Sequence, residues 1–316
     1  MKNFNHFKLC MLVVFSFLLG INTYAQHSNF TGSDHWKTQR GELLFGIGIS
    51  NFLGDLGGLD KTGTHYSPVD IEWNTTRPSG HFGYRRRLAS WLATTSTFQY
   101  AVLKGDDAYT NDPFRRNRNL SFRTHLFELS QRLEILIFRD EHYGARYDIP
   151  DLKGDKNRNT LVYLFSGISF LGYIPQGNLD GGWTNLRPLN TEGQGLPDAV
   201  EPYKFVSFGI PFGIGFKYGF DRVWRMSFEL SYTQTFTDYL DDVGGEYYDN
   251  DAIRAAYGTT AAYFADPSDG TFKTWTAEGE LRGDANHNDG YMFFNISIIR
   301  NLSDKSTKKL KWRYRF

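Results

Sequence analysis

The sequence predicts an all-β chain, folded as a transmembrane antiparallel up-and-down barrel of about eight strands with long extracellular loops. Three observations carry this expectation. One long stretch alternates with a period of two, the composition is rich in aromatics and glycine, and short and long connections alternate along the chain.

The clearest alternation is WRMSFELSYTQTFTDYLDD, Trp224 to Asp242. Trp224, Met226, Phe228, Leu230, Tyr232 and Phe236 fall on one face, and Arg225, Ser227, Glu229, Ser231 and Thr233 on the other. A helix would scatter these sets, whereas a strand places each on its own side. Alternation alone also fits a soluble sandwich strand. The length, about 11 to 13 residues, exceeds an ordinary strand and suits a tilted bilayer crossing.

The composition agrees. The 316 residues include 27 Phe, 19 Tyr, 7 Trp and 32 Gly, with 17% aromatic residues and one cysteine. Girdles of a membrane barrel need aromatics, and half of each strand stays polar. A formal net charge of zero gives a nucleic-acid partner no electrostatic support. Residues 1–25 read as a secretory signal peptide: Lys2 and Lys8 are basic, Leu9 to Leu19 apolar, and Thr23-Tyr24-Ala25 a cleavage site. Cys10 lies within it, so the mature chain is expected to hold no disulfide and no thiolate site.

Residues 26–301 are expected to form the barrel. The first strand, Glu42 to Phe52, turns Leu43, Phe45, Ile47 and Ile49 outward and Gly46, Gly48 and Ser50 inward. Strands two and three, Gly80 to Leu88 and Trp91 to Lys104, flank a tight turn at Ala89-Ser90. Strand four, Leu120 to Phe138, has Gln131 as a misfit on its apolar face. Strand five, Thr160 to Tyr173, is apolar on both faces, so its orientation stays open. Strand six, Lys204 to Tyr218, contains Pro211, which suggests a bulge or bend. The Trp224 stretch is the seventh, and Tyr291 to Arg300 the last. Long polar connections lie at 54–77, 105–119, 174–202 and 239–290; the charged segment 139–159 breaks the short–long pattern. Residues 302–316 are expected to form a basic, aromatic periplasmic tail.

An eight-stranded barrel is just wide enough inside for side chains to fill. Arg85, Arg87, Glu128, Arg132, Glu134, Lys217, Arg225 and Glu229 are expected to line it as a paired charge network, without an open channel. The plain alternative is solvated faces of soluble strands.

No enzyme is expected. The histidines are scattered singly, and neither a nucleophile elbow nor a phosphate loop occurs. Asp284 to Gly290 resembles the start of a calcium loop, but its glycine is one place late and Asn295 stands where the bidentate Glu belongs. Turn formation is the expected role there, and a solvated loop root that of Asp241-Asp242. No cofactor, no catalytic residue and no metal ligand is assigned, and no small-molecule substrate is evident.

Several segments resemble the PorG-like outer-membrane barrels of Bacteroidota. They are FTDYLDDVGG (236–245), ISNFLGDLGG (49–58), LFSGISFLGYIPQG (164–177), PYKFVSFGIPFGIGFKYGF (202–220) and RGDANHNDGYMFFNISI (282–298). They follow the family order and cover most of the mature chain, with departures at Gly244, where the family usually has Ser, and Gly290, where it often has Trp. The resemblance implies a non-enzymatic outer-membrane component of the type IX secretion system, in which protein secretion and gliding motility depend on the periplasmic PorK/PorN ring. It would anchor or position that ring, with outer-membrane lipid as its other partner. The alternative is a general outer-membrane barrel with a structural or surface-binding role. The matching loop-root positions are Gly54, Asp55, Asp238, Tyr239, Asp241, Asp242, Arg282 and Asp284, whose role the resemblance leaves open.

Overall fold

The structure is a computed structural model, which describes residues 35–56, 72–110, 112–142, 158–220, 223–285 and 287–302. The chain divides into two units, residues 1–38 with 304–316, and residues 39–303. In the first, a 3-10 turn spans His35–Thr38. The expected signal peptide and the tail beyond Leu302 lie outside the described residues.

The second unit is a closed antiparallel eight-stranded barrel. Its ring is built from β1 (Gly41–Leu53), β2 (Arg77–Arg87), β3 (Leu92–Asp106), β4 (Ser121–His142), β5 (Arg158–Leu179), β7 (Val206–Gly219), β8 (Trp224–Thr235) and β9 (Gly290–Leu302). Each strand pairs with the next, β5 with β7, and β9 closes onto β1. Closure leaves no edge strand in the ring. A short β6 (Gly182–Asn185) pairs with the far end of β5 outside the ring. That hairpin falls within the segment expected to be a loop from residue 174, because Gly177 and the turn at Asp180-Gly181 carry no apolar alternation.

The seventh strand, 12 residues long, has the expected length. It ends at Thr235, and residues 236–242 turn away. Pro211 makes no bulge: the β5–β7 ladder skips the pairs around it and resumes in the same register, from Ser166–Phe212 to Ser169–Gly209. The register shift sits on β4, between Leu136 and Phe138. The extra residue Ile137 lets Leu136 point inward while Phe138 is exposed.

All eight ring strands turn apolar side chains outward, among them Ile47, Phe82, Phe98, Leu133, Ile168, Phe208, Leu230 and Ile298. Ile47 is 74% exposed. An apolar surface running round a whole barrel far exceeds the patches tolerated in water, and matches the lipid-facing band of a membrane barrel. Among the described residues no helix is long and apolar enough to cross a membrane. The outward misfit Gln131 is satisfied locally: its amide donates to Thr94 Oγ1 at 2.6 Å and its carbonyl accepts from Ser96 Oγ at 2.5 Å.

Inside, β5 resolves its orientation by size. Leu161, Tyr163 and Phe165 point into the lumen and are buried. The facing positions of β7 are glycines: a Cβ on Gly215 would come within 2.2 Å of the Tyr163 ring, and one on Gly213 within 2.7 Å of Phe165. Small residues on one strand therefore admit large ones from the next.

Candidate functional site

The lumen holds two polar regions. The first runs from the end where β1 begins and β9 finishes to mid-barrel. Glu42 is its hub: Lys217 Nζ donates to both carboxylate oxygens at 2.9 and 2.7 Å, Arg225 Nη1 to one at 3.0 Å, and Arg85 Nη1 to the other at 3.0 Å. Arg85 also pairs with Glu134, which accepts from Thr95 as well. Arg132 donates through both Nη atoms to Glu229 at 3.2 Å, and Tyr163 hydroxyl to the other Glu229 oxygen at 2.5 Å. Glu128 accepts from Ser169 at 2.7 Å and Tyr291 at 2.8 Å. Arg87 pairs with Glu141 at the end where β1 begins.

All eight charged residues expected to line the interior are buried there. Arg85–Glu42, Thr95–Glu134 and Ser169–Glu128 join neighbouring strands, while Lys217–Glu42, Arg225–Glu42, Arg85–Glu134, Arg132–Glu229 and Tyr291–Glu128 cross the lumen between non-adjacent ones. Both oxygens of Glu42, Glu128, Glu134 and Glu229 thus accept a hydrogen bond. Ion pairs at Glu42, Glu134 and Glu229, and hydroxyl hydrogen bonds at Glu128, offset a desolvation cost that isolated charges would not survive. Glu42 was not among the expected set, although the parity of its strand puts it on the same face as Gly46 and Gly48.

The second region closes the opposite end, where the long loops lie. Residues 236–289 fold back into the mouth, with two short helices, α1 (Asn250–Tyr257) and α2 (Thr259–Ala265). Leu240 and Val243 enter an apolar cluster with Phe52, Leu56, Phe122, Leu126, Leu171, Tyr173, Tyr291 and Phe293. Burying those side chains is what seats the loop. Its root is cross-tied: Asp289 N–H donates to Thr237 carbonyl at 3.0 Å, Thr235 Oγ1 to Asp289 carbonyl at 2.7 Å, and Leu240 N–H to Asp289 Oδ2 at 2.9 Å.

The eight loop-root positions singled out by the resemblance converge here. Asp284 N–H donates to Asp55 Oδ2 at 2.9 Å. Arg282 donates to Glu192 at 3.0 Å and to the Asp242 carbonyl at 2.7 Å. Asp242 accepts from Thr191 at 2.7 Å and from the Tyr203 hydroxyl, while Tyr239 stacks on Tyr203 with centroids 4.6 Å apart. A Cβ on Gly54 would meet Asp289 Oδ1 at 2.2 Å, so glycine is needed for that approach. The solvated reading of Asp241-Asp242 is corrected: both are 1% exposed, because Leu240 and Val243 drag the carboxylates between them into the mouth.

Further partners come from other loops. Glu192 also accepts from Gly244 and Gly245 N–H at 3.0 and 3.2 Å. Arg118, closing the short helix Pro113–Arg118, holds Asp107 through two bonds at 2.8 and 2.9 Å and reaches the Asp55 carbonyl at 2.9 Å. Glu192, Asp107, Arg118 and Tyr203 lie in non-periodic segments, so no spacing in the sequence marks them. The two departures from the resembled family sit beside tyrosines. A Cβ on Gly244 would meet the Tyr239 ring at 2.7 Å, and one on Gly290 the Tyr232 hydroxyl at 2.5 Å.

The electrostatics of this cap are lopsided. Burial, then the Asp55 carboxylate, pushes Asp241 well above the ordinary carboxylate range. Asp289 is raised by burial and by Asp241, Asp238 and Asp55, and Asp238 by burial, Asp55 and Asp241. Asp242 rises only to about 6: burial lifts it, and Arg282, Tyr203 and Thr191 hold it down.

No protein-family model matches the chain, and no curated protein matches it. Two solved structures are similar in outline. One is Ail, the attachment invasion locus protein of Yersinia pestis, in complex with the heparin analogue sucrose octasulfate: 6% identical, covering 83% of this chain and 99% of Ail, with a TM-score of 0.31. The other is the outer membrane protein AlkL in DMPC lipid bilayers: 10% identical, covering 89% and 93%, with a TM-score of 0.27. The barrel assignment rests on the strand pairing itself.

Proposed function

We propose that this chain is a non-enzymatic outer-membrane barrel of the type IX secretion system, which anchors or positions the periplasmic PorK/PorN ring. The membrane part of this reading rests on the apolar belt around all eight ring strands. Polar interior bonds that span the lumen favour an anchor over a conduit. The secretion part rests on one observation: three of the segments that resemble the PorG-like family, 49–58, 236–245 and 282–298, far apart in sequence, meet at the mouth through Asp55–Asp284 and Arg282–Asp242. Because most of that unit is buried, the ring contact is assigned to the opposite end, at the short turn 88–91.

Deletion of the gene should abolish secretion of type IX cargo and gliding, and the ring proteins should co-purify with the barrel in mild detergent. Unimpaired secretion together with absence of the ring proteins would overturn the proposal. The alternative, a barrel that binds something at the cell surface, is favoured by an exposed aromatic stack at the loop end. There Phe272 and Trp275 lie 4.3 Å apart and Phe114 lies 5.4 Å from Trp275. Under that reading, removing Trp275 impairs surface binding and leaves secretion intact.

A further inference from the structure

Among the described residues, three carboxylates of the cap form no ion pair with a basic side chain. Asp238, Asp241 and Asp289 are buried, the last two to 1% and 0% exposure. Asp289 uses Oδ2 for Leu240 N–H and Asp241 uses Oδ1 for Val243 N–H at 3.1 Å. Their second oxygens, Asp289 Oδ1 and Asp241 Oδ2, have no hydrogen-bond partner, and neither has Asp238 Oδ1. The free Asp289 oxygen lies against Gly54, next to the fourth carboxylate, Asp55. The nearby arginines form their ion pairs elsewhere, Arg118 with Asp107 and Arg282 with Glu192, and act on Asp241 only through space.

A buried polar atom without a partner calls for a physical account, and several at one place call for a common one. Two species can supply it, protons or a cation. Backbone N–H groups that fix one oxygen of Asp241 and of Asp289 and leave the other free hold these carboxylates as a hard, oxygen-seeking ion needs. We infer that the cap binds one divalent cation of the calcium class through Asp238, Asp241 and Asp289, with Asp55 completing the charge. Among the described residues no three acidic or histidine side chains already stand at metal-ligand spacing. The ion therefore draws the free oxygens together, and so clamps the root of the 236–289 loop to the end of β1. This departs from the sequence-based expectation of no metal, and it does not depend on the secretion reading.

The test uses the full chain refolded in detergent micelles and stripped with EDTA. Millimolar Ca2+ should raise the unfolding midpoint by about 5 °C or more, the scale expected for a ligand well above its Kd, and Mg2+ should do less. Asp241→Asn and, separately, Asp289→Asn should abolish the shift while melting no lower than the parent in EDTA, since each removes one of a set of like charges. Asp269→Asn, on the exposed surface, should keep it. Tb3+ should show tyrosine-sensitised emission from the Tyr203–Tyr239 pair, displaced by Ca2+. No Ca2+ shift in the parent, or a shift that survives in both cap variants, overturns the inference. So does stability that falls with rising pH in EDTA and ignores Ca2+, the signature of shared protons.

Discussion

The two polar regions of the lumen solve the same problem in opposite ways. In the lower region four glutamates face Arg85, Arg132, Lys217 and Arg225, and both oxygens of every glutamate accept a bond. In the cap Asp238, Asp241 and Asp289 each keep an unpartnered oxygen, and the nearby arginines serve other acceptors. The lower region pairs every carboxylate oxygen and is left only with surplus donors, at Arg85 Nη2, Arg132 Nε and Arg225 Nε. The cap is complete only with something added. A barrel interior thus combines a permanent brace with a conditional closure, and the difference lies in whether counter-charges come from the facing strands.

The comparison is broken most severely at the hub of the brace. Glu42→Gln removes the negative charge shared by Lys217, Arg225 and Arg85 and turns one acceptor oxygen into an NH2 donor facing these cations, and should cost about 3–5 kcal/mol in urea unfolding from micelles. On the outer wall, Ile47→Arg places a charge where the belt is most exposed. It should cost about 2–4 kcal/mol for folding into bilayers, as a mid-membrane arginine does. Gly215→Ala pushes a methyl into the Tyr163 ring and should cost about 1–3 kcal/mol. Tyr163→Leu should then cost less in that background than alone, read as a double-mutant cycle. Gln131→Leu removes the outward polar cluster with Thr94 and Ser96; equilibrium unfolding in bilayers should shift by less than about 1 kcal/mol. Asp241→Asn in metal-free buffer should leave the urea midpoint unchanged or raised, the reverse of Glu42→Gln for a comparable loss of one buried charge.

Much of the barrel is legible in the sequence because period two fixes both facing and register. The eight inward charges, the tight turn near Ala89 and the outward faces of β7 and β8 follow from parity alone. β5 resists that reading because Tyr163 and Phe165 are as apolar as the lipid-facing Leu164 and Ile168; Gly213 and Gly215 on the next strand decide which way they point. The cap is illegible for a different reason. Its members come from five separate segments with no period, and charged residues in loops read as solvated until tertiary packing buries them. The apolar neighbours Leu240 and Val243 are the one local clue that Asp241 and Asp242 go inward.

Lipid outside the ring strands and a filled lumen within are tested at once by spin labels placed one at a time along β8 in reconstituted bilayers. Labels at Met226, Phe228 and Leu230 should be relaxed by oxygen in the lipid, and labels at Ser227 and Ser231 by neither oxygen nor a water-soluble reagent. A water-soluble reagent that reached the first set would contradict the membrane-facing belt. One that reached the second would contradict the filled interior.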